Sequence, residues 1–158
     1  MEAYERYGRA LRRKATRILG RADDAGDVVQ ALFADLLAKG EVAVDLPYLY
    51  RAVTNRCLTL LRDESNRARL LEREAPSPYR SPRAPCEDHV ITRDLLAKLV
   101  SELDAEHCEV LLYRYLDDMT QDEIAALLGL SRKTIGHRLD RIREVVARVA
   151  GPQLEVES

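Results

Sequence analysis

The sequence is poor in aromatic residues: it has no Trp and one Phe, and aromatics make up 5% of its 158 residues. Strands are enriched in aromatic and β-branched residues, so a core built mainly from Leu, Val and Ala favours helices. The three cysteines, Cys57, Cys86 and Cys108, form no disulfide framework. No signal peptide is recognised, and no apolar run approaches the roughly 18 to 20 residues of a membrane span. We therefore expect a cytoplasmic protein with reduced thiols.

A large excess of charge of one sign is also absent, because the formal net charge is -2. Binding to nucleic acid cannot be argued from that total and must be argued from where the charges lie. Basic residues are concentrated in 1–21 and in 131–143, whereas 87–109 is mainly acidic. The signs are thus segregated along the chain.

Proline is scarce outside one segment, since four of the six prolines lie in 74–85. Proline lacks the backbone donor and restricts the residue before it to extended conformations, so this stretch is not helical. We predict a linker over 74–87 between two small domains, 1–73 and 88–151.

Apolar residues at steps of three and four predict three helices in the first domain. We expect these helices over 4–19, from 23 or 24 to 38, and over 47–72. The predicted core residues of the second and third helices are Val28, Leu32, Phe33, Leu36, Leu37, Leu49, Val53, Leu58, Leu61 and Leu71.

The second domain shows the clearest local pattern, a helix-turn-helix that follows expected helices over 88–103 and 105–116. Thr120 and Glu123 form a predicted capping box at the start of its first helix. The motif needs a small residue at the helix crossing, a residue tolerant of positive φ, a core plug and an inner anchor; these are Ala125, Gly129, Leu130 and Ile135. The predicted fold class is all-α: two small helical domains joined by a Pro-rich linker, with the helix-turn-helix in the C-terminal one.

The exposed face of the second helix of this motif is expected to contact DNA, with N-terminal residues at base edges and basic residues against phosphate. The predicted contact residues are Arg132, Lys133, Thr134, Gly136, His137, Arg138 and Arg141. An ordinary solvated helix face is the alternative interpretation of the same residues.

Both domains resemble the extracytoplasmic-function group of bacterial sigma factors. Residues 103–143 resemble the family's fourth conserved region, which implies recognition of the minus-thirty-five promoter element. The segment Asp27-Val28-Val29-Gln30 resembles the Asp-Leu-Val-Gln signature of the helix that docks on the clamp coiled coil of core RNA polymerase. Residues 48–56 resemble the Trp-Leu-Tyr-Arg-Ile-Ala-Arg-Asn-Arg stretch, which borders the site where the minus-ten element is opened.

The resemblance implies two further sets of site residues. The implied polymerase-binding residues are Asp24, Asp27, Val28, Gln30, Ala31 and Asp35. The implied residues on the minus-ten side are Tyr48, Arg51, Asn55, Arg56, Arg62 and Asn66. An acidic face suits a basic protein partner and a basic, amide-rich face suits phosphates and unpaired bases. On the residues alone, helix capping explains the acidic face as well as a protein partner does. In the same way, an ordinary solvated face explains the basic one as well as DNA binding does.

The sequence departs from the family pattern at four places. One is Asp63 and Glu64, which follow Arg62 where a more basic run is common. Tyr48 replaces the usual Trp, and Ala31 stands where an acid often follows the Gln. The segment 41–46 is short and has no basic or aromatic residue, although relatives use that neighbourhood to hold a flipped base.

The resemblance implies an alternative sigma factor that binds core RNA polymerase and promoter DNA, with an anti-sigma protein as a further candidate partner. A helix-turn-helix regulator that binds an operator as a dimer and a sigma-like decoy that binds polymerase are the alternatives. We expect no enzyme and no cofactor, since no phosphate loop, nucleophile elbow or HExxH is present. We also expect no metal site, because no CxxC pair exists, although Cys86 with His89 and His107 with Cys108 leave one conceivable.

Overall fold

The computed structural model describes residues 2–40, 43–74 and 93–150, and within those ranges it contains seven helices and no strand. The helices are α1 (Glu2–Leu19), α2 (Ala22–Ala38), α3 (Leu46–Glu74), α4 (Arg93–Glu102), α5 (Ala105–Tyr115), α6 (Gln121–Leu128) and α7 (Arg132–Ala150). The all-α prediction is confirmed. The predicted linker lies outside the described residues apart from Glu74, and so does the predicted start of α4 at 88.

The first module consists of α1, α2 and α3, and all three helices pack against one another. Apolar residues of α1 recur on one face, and Leu11, Ala15, Ile18 and Leu19 are buried there. From α3, Leu49, Val53, Leu58 and Leu61 complete this core, as predicted. Short steps of three and four residues thus bring each helix's apolar stripe into a shared interior.

Two predicted core residues of this module are wrong. Leu37 is 57% exposed, because the inward face of α2 is set by Val29, Leu32 and Leu36, and the next position turns about 100° away from it. Leu71 is 65% exposed, because α3 extends past the other two helices and none of its residues from 62 to 71 is buried. Val28 is only half-buried.

The second module consists of α4 to α7, and its helix-turn-helix has the predicted local geometry. The Thr120 hydroxyl accepts a hydrogen bond from the Glu123 backbone N–H at 3.2 Å, which caps α6. Gly129 has φ 67° and ψ 31°, a left-handed conformation that ends α6 and redirects the chain into α7. Ile135, Leu139, Ile142, Val145 and Val146 of α7 are buried. The apolar side of α7 therefore faces the interior of the module.

The two modules pack directly against each other. One side of α3 contacts α1 and α2, while another side contacts α4 and α5. The buried apolar residues of both modules form a single cluster. Tyr50 of α3 stacks on Tyr113 of α5 with ring centroids 5.7 Å apart. Across the described residues, no helix has the length and apolar character needed to cross a bilayer.

Candidate DNA and polymerase interface

The N-terminal half of α7 presents a cationic face to solvent. Ile135 is fully buried on the inner side of the helix, while Lys133 and His137 are exposed on the outer side. The Arg132 side chain is 68% exposed, and Arg132 Nη1 lies 3.6 Å from Oδ2 of Asp122, whose side chain is 73% exposed. Exposed ion pairs of this kind are weak, so Arg132 is available to an anionic partner.

A shallow groove lies between the start of α6 and the start of α7. It is lined by Gln121, Arg132, Lys133, Gly136, His137 and Asp140. The Ser131 hydroxyl accepts a hydrogen bond from the Thr134 backbone N–H at 3.1 Å, which caps α7. The positive end of the α7 dipole therefore adds to the side-chain cations and favours phosphate.

Gln121 is a member of this groove that the sequence did not single out. Its Oε1 lies 3.7 Å from the position of a Cβ added at Gly136, so the two helices approach closely at that point. Gln121 is the first residue of α6, and a polar, solvated side chain is also ordinary at the start of a helix. The sequence signal for Gln121 was its position, since it begins the helix before the turn while Gly136 lies on the helix after it.

Two other predicted DNA-contact arginines are engaged within the protein. Arg138 Nη2 lies 3.2 Å from Glu106 Oε2 of α5, and the Arg138 side chain is only 18% exposed. Arg141 Nη1 lies 3.3 Å from Glu144 Oε2 one turn along α7, with about half of its side chain exposed. Arg138 is thus held against α5, whereas Arg141 remains accessible.

The predicted polymerase-binding residues lie along the outer side of α2. Asp27, Gln30 and Ala31 are exposed. A groove between α2 and α3 is lined by Asp24, Asp27, Val28, Ala31, Asn55, Arg56, Thr59, Leu60 and Asp63. At one end of it Asp35 pairs with Arg56 of α3, and this hydrogen-bonded guanidinium lowers the pKa of the Asp35 carboxyl.

The predicted minus-ten residues divide into two groups. Tyr48 is 46% exposed, and Asn55 and Asn66 are also exposed. By contrast, Arg51 Nε donates to Glu109 Oε1 of α5 at 2.9 Å. Arg62 Nη2 donates to the Leu103 carbonyl at 3.3 Å. These two arginines contact the second module, and the Arg51 side chain is at the same time 43% exposed.

A buried lysine at the junction of the modules escaped the sequence analysis. Lys14 is 1% exposed and its Nζ lies 2.5 Å from Asp117 Oδ2, whose side chain is 4% exposed. Burial is the largest influence on Lys14 and lowers its pKa, while the Asp117 charge opposes that shift. A signal was present, because Lys14 lies three residues after Leu11 and four before Ile18, on the apolar face of α1.

The described cysteines are buried and protonated. Burial raises the pKa of the Cys57 thiol to about 12 and also raises that of Cys108. Within 2–40, 43–74 and 93–150, no cluster of three His, Cys, Asp or Glu residues is arranged to hold a metal ion. Cys86 and His89 lie outside those ranges.

Comparison with known proteins decides the family. Residues 3–67 match the family described as Sigma-70 region 2, and residues 93–145 match the family described as Sigma-70, region 4. The RNA polymerase sigma-E factor of Streptomyces coelicolor is 32% identical over 157 residues, which span 92% of this chain and 87% of that protein. This chain belongs to the extracytoplasmic-function group of sigma factors. As an alternative sigma factor, it binds core RNA polymerase and directs promoter recognition and transcription initiation.

A solved relative has the same fold. The sigma factor RpoE of Bartonella quintana, crystallised with the anti-sigma factor NepR, matches this sigma factor with a TM-score of 0.53 and 20% identity over 96% of each chain. The prediction of an all-helical sigma factor is therefore confirmed at the level of family and fold.

Proposed function

We propose that this sigma factor reads the minus-thirty-five element with the cationic face at the start of α7. The supporting observation is that Ile135 is fully buried while Arg132 and Lys133 point outward from the same helical turn. A recognition helix held in this way enters the major groove with its N-terminal residues first. Gly136 leaves the middle of this face without a side chain, so the helix backbone can approach the duplex closely.

The other predicted DNA-contact residues of α7 have distinct roles in this proposal. Thr134 and His137 lie beside the first two cations and contact bases or phosphates at the groove floor. Arg141 is placed one turn further along for a phosphate contact. Arg138 reaches the DNA backbone only if it leaves Glu106, from which it is separated by 3.2 Å.

The test uses holoenzyme reconstituted from core polymerase and this chain, with a promoter recovered by mapping transcript 5′ ends on genomic DNA. Replacing Arg132 and Lys133 together by Ala is expected to weaken promoter binding and relax preference in the upstream element. Each lost phosphate contact lowers the slope of log affinity against log salt by about 1, and each lost base contact costs about 1–3 kcal/mol.

The matched control removes two cations from the same module away from this face. Lys98 is exposed on α4, and the Arg148 side chain is 60% exposed near the end of α7. Replacing both by Ala changes the net charge equally and is expected to leave sequence preference intact. Equal losses in the two double variants would contradict the assignment of the recognition face.

We further propose that the exposed side of α2 docks on core polymerase. Asp27 and Gln30 form an accessible polar strip beside the exposed Ala31, and Asp24 and Asp35 lie at its two ends. An acidic strip complements a basic partner surface. Asp27→Lys is expected to abolish comigration with core polymerase on a native gel. Asp23→Lys, at an exposed position of the same helix, is the control and is expected to comigrate.

For the minus-ten element we propose that α3 supplies the contacts. Tyr48, Asn55 and Asn66 are exposed and suited to stacking on and hydrogen bonding with unpaired bases. Arg56 is within reach of DNA once Asp35 releases it. Under this proposal residues 1–73 serve polymerase binding and the minus-ten element, 74–87 act as the linker, and 88–151 serve the upstream element.

The proposal places the protein in the cytoplasm, where core polymerase and the chromosome are found, and assigns it no catalytic reaction of its own. It also includes an anti-sigma protein as a negative regulator, following the partner named for the Bartonella relative. Purification of the tagged chain from its source cells tests this. The expected partner releases core polymerase from this chain when added in excess, and a partner without that effect contradicts this part.

A further inference from the structure

A single carboxylate lies on the proposed recognition face of α7. Asp140 lines the groove at the start of this helix together with Arg132, Lys133, Gly136 and His137, and it is the one acid among the described residues of that groove. Its side chain is 66% exposed. A carboxylate brought against the phosphates of DNA is repelled, because like charges that meet across an interface are unfavourable. Asp140 therefore disfavours binding unless the DNA offers it a hydrogen-bond donor.

Asp140 lies on the same side of α7 as the cations of that face. Positions 133, 136, 137 and 140 are separated by steps of three and one, which places them along one side of a helix. The opposite side carries Ile135 and Leu139, both of which are fully buried. Gly136, one turn before Asp140, has no side chain, so the helix backbone can approach the duplex there. The approach that brings Lys133 to the DNA therefore brings Asp140 there as well.

The Asp140 carboxylate is held from one side by an arginine of its own helix. Arg143 Nη1 donates to Asp140 Oδ1 at 2.9 Å. A charge-assisted hydrogen bond of this kind orients the carboxylate and offsets part of its charge. With Oδ1 engaged by Arg143, Oδ2 is the oxygen that can accept a further hydrogen bond from a base.

The hydrogen-bonding pattern of the major groove selects the base that can meet this oxygen. An ionised carboxylate only accepts hydrogen bonds. The major-groove edges of G and T present acceptors and no donor, whereas C presents its N4 amino group and A presents its N6 amino group beside the N7 acceptor. Because N7 of A repels a carboxylate that approaches N6, C is the base that suits Asp140 best.

The position of Asp140 along α7 separates its contact from that of Arg132. Asp140 follows Arg132 by eight residues, which corresponds to about 12 Å along a helix axis at 1.5 Å per residue. Base pairs of B-DNA are about 3.4 Å apart, so a helix lying along the groove places the two side chains roughly three to four base pairs from each other. Asp140 and Arg132 therefore face different base pairs.

We propose that Asp140 is a specificity-determining residue for the upstream element, where its Oδ2 accepts a hydrogen bond from N4 of a C at a single base pair. The inference rests on the proposed function, since it requires the start of α7 to lie in the major groove. The carboxylate selects by exclusion as well as by attraction. Opposite G or T it meets only acceptor atoms, so its repulsion from the DNA is not compensated.

The test uses holoenzyme reconstituted from core polymerase and this chain. Binding is measured to variants of the mapped promoter in which each base pair of the upstream element is replaced in turn by the other three. The wild type is expected to favour C at one position by about tenfold, as for a direct base contact. Asp140→Ala is expected to lose that preference and keep the others. Asp140→Asn is expected to move it toward A, because an amide accepts from N6 and donates to N7 of A.

The charge-matched control is Glu102→Gln. Like Asp140, Glu102 pairs with an arginine of α7, since Arg148 Nη2 lies 3.2 Å from Glu102 Oε2. This pair lies near the opposite end of α7 from the recognition face. The control is expected to keep the wild-type preference at every position of the element. Because Asp140 is exposed, its variants are expected to fold, and circular dichroism verifies that they do.

Wild-type preference at every position in Asp140→Ala overturns the inference. An equal rise in affinity for all sequences also overturns it, because Asp140 would then only repel phosphates. The loss of a preference for G or T does the same, since neither base offers the carboxylate a donor. Failure of the proposed function is read separately, from Arg132→Ala/Lys133→Ala. If that variant also keeps the wild-type preference, α7 is not the recognition helix; if it loses preference while Asp140→Ala does not, only the role of Asp140 is contradicted.

Discussion

Substituting the two glycines of the helix-turn-helix by Ala gives opposite effects on stability. Gly129 has φ 67°, and an added Cβ would have no heavy atom within 4 Å, so the cost of Gly129→Ala is purely conformational. An L-residue in the left-handed region costs about 1–2 kcal/mol. The loss of unfolded-state freedom returns about 0.4–1 kcal/mol. The net expectation is a destabilisation of about 1 kcal/mol.

Gly136 is the matched position, because it lies inside α7 and its added Cβ meets only Gln121 Oε1 at an ordinary 3.7 Å. Ala is favoured over Gly in a helix interior by about 0.8–1.0 kcal/mol, so Gly136→Ala should stabilise the protein. The two variants should therefore differ by about 2 kcal/mol in unfolding free energy.

The assay is urea unfolding followed by circular dichroism, with the midpoint and slope compared among the wild type and both variants. Gly129→Ala should lower the midpoint and Gly136→Ala should raise it, at unchanged slope. Shifts of both midpoints in the same direction would refute the assignment of a left-handed turn at one position and a helix interior at the other. In holoenzyme, Gly136→Ala should nevertheless weaken promoter binding, because the added methyl group occupies the proposed recognition face.

Three further predictions concern other parts of the chain. Leu36→Ala should cost about 2–5 kcal/mol because Leu36 is 5% exposed, whereas Leu37→Ala should change the unfolding free energy by less than about 0.5 kcal/mol; equal effects in urea unfolding would contradict the described face of α2. The Asp104 side chain caps α5 by accepting a hydrogen bond from the backbone N–H of His107, and this bond lowers the pKa of the Asp104 carboxyl. The resulting stabilisation is complete above the ordinary pKa of an Asp carboxyl and is lost as the pH falls through the lowered pKa of Asp104. Asp104→Asn should keep the cap but flatten that part of the stability–pH profile. Glu106→Gln should release Arg138 and strengthen promoter binding by holoenzyme, with a change of less than about 1 kcal/mol in unfolding free energy, and unchanged binding would mean that Arg138 takes no part.

Local features of the fold followed from local sequence. The capping box at Thr120, the left-handed Gly129 and the buried Ile135 are each dictated by a few neighbouring residues, and each was predicted correctly. Leu37 and Leu71 were misplaced for a different reason. Helical periodicity predicts which face of a helix is apolar. It does not predict how much of that face the neighbouring helices cover, or at which residue of α3 the contacts with α1 and α2 end.

Contacts between distant parts of the chain were the hardest to foresee. Lys14 meets Asp117 across more than a hundred positions of sequence, and neither neighbourhood indicates the other. A charged residue on an apolar helix face signals an unknown buried partner but does not identify it. The same holds for Arg51 and Glu109, each of which reads as an ordinary surface charge until α3 and α5 are seen to pack together.

The placement of α7 on DNA is tested most directly by a hydroxyl-radical probe attached to the recognition face in holoenzyme on its mapped promoter. Lys133→Cys provides the attachment point, and Cys86→Ser removes one competing thiol while Cys57 and Cys108 are buried. The account predicts strand cleavage centred on the upstream element for the probe at 133, and little cleavage there for a probe at Ala147→Cys, exposed near the other end of α7. Cleavage that is absent from the upstream element with the probe at 133, or equally strong from both positions, would contradict it.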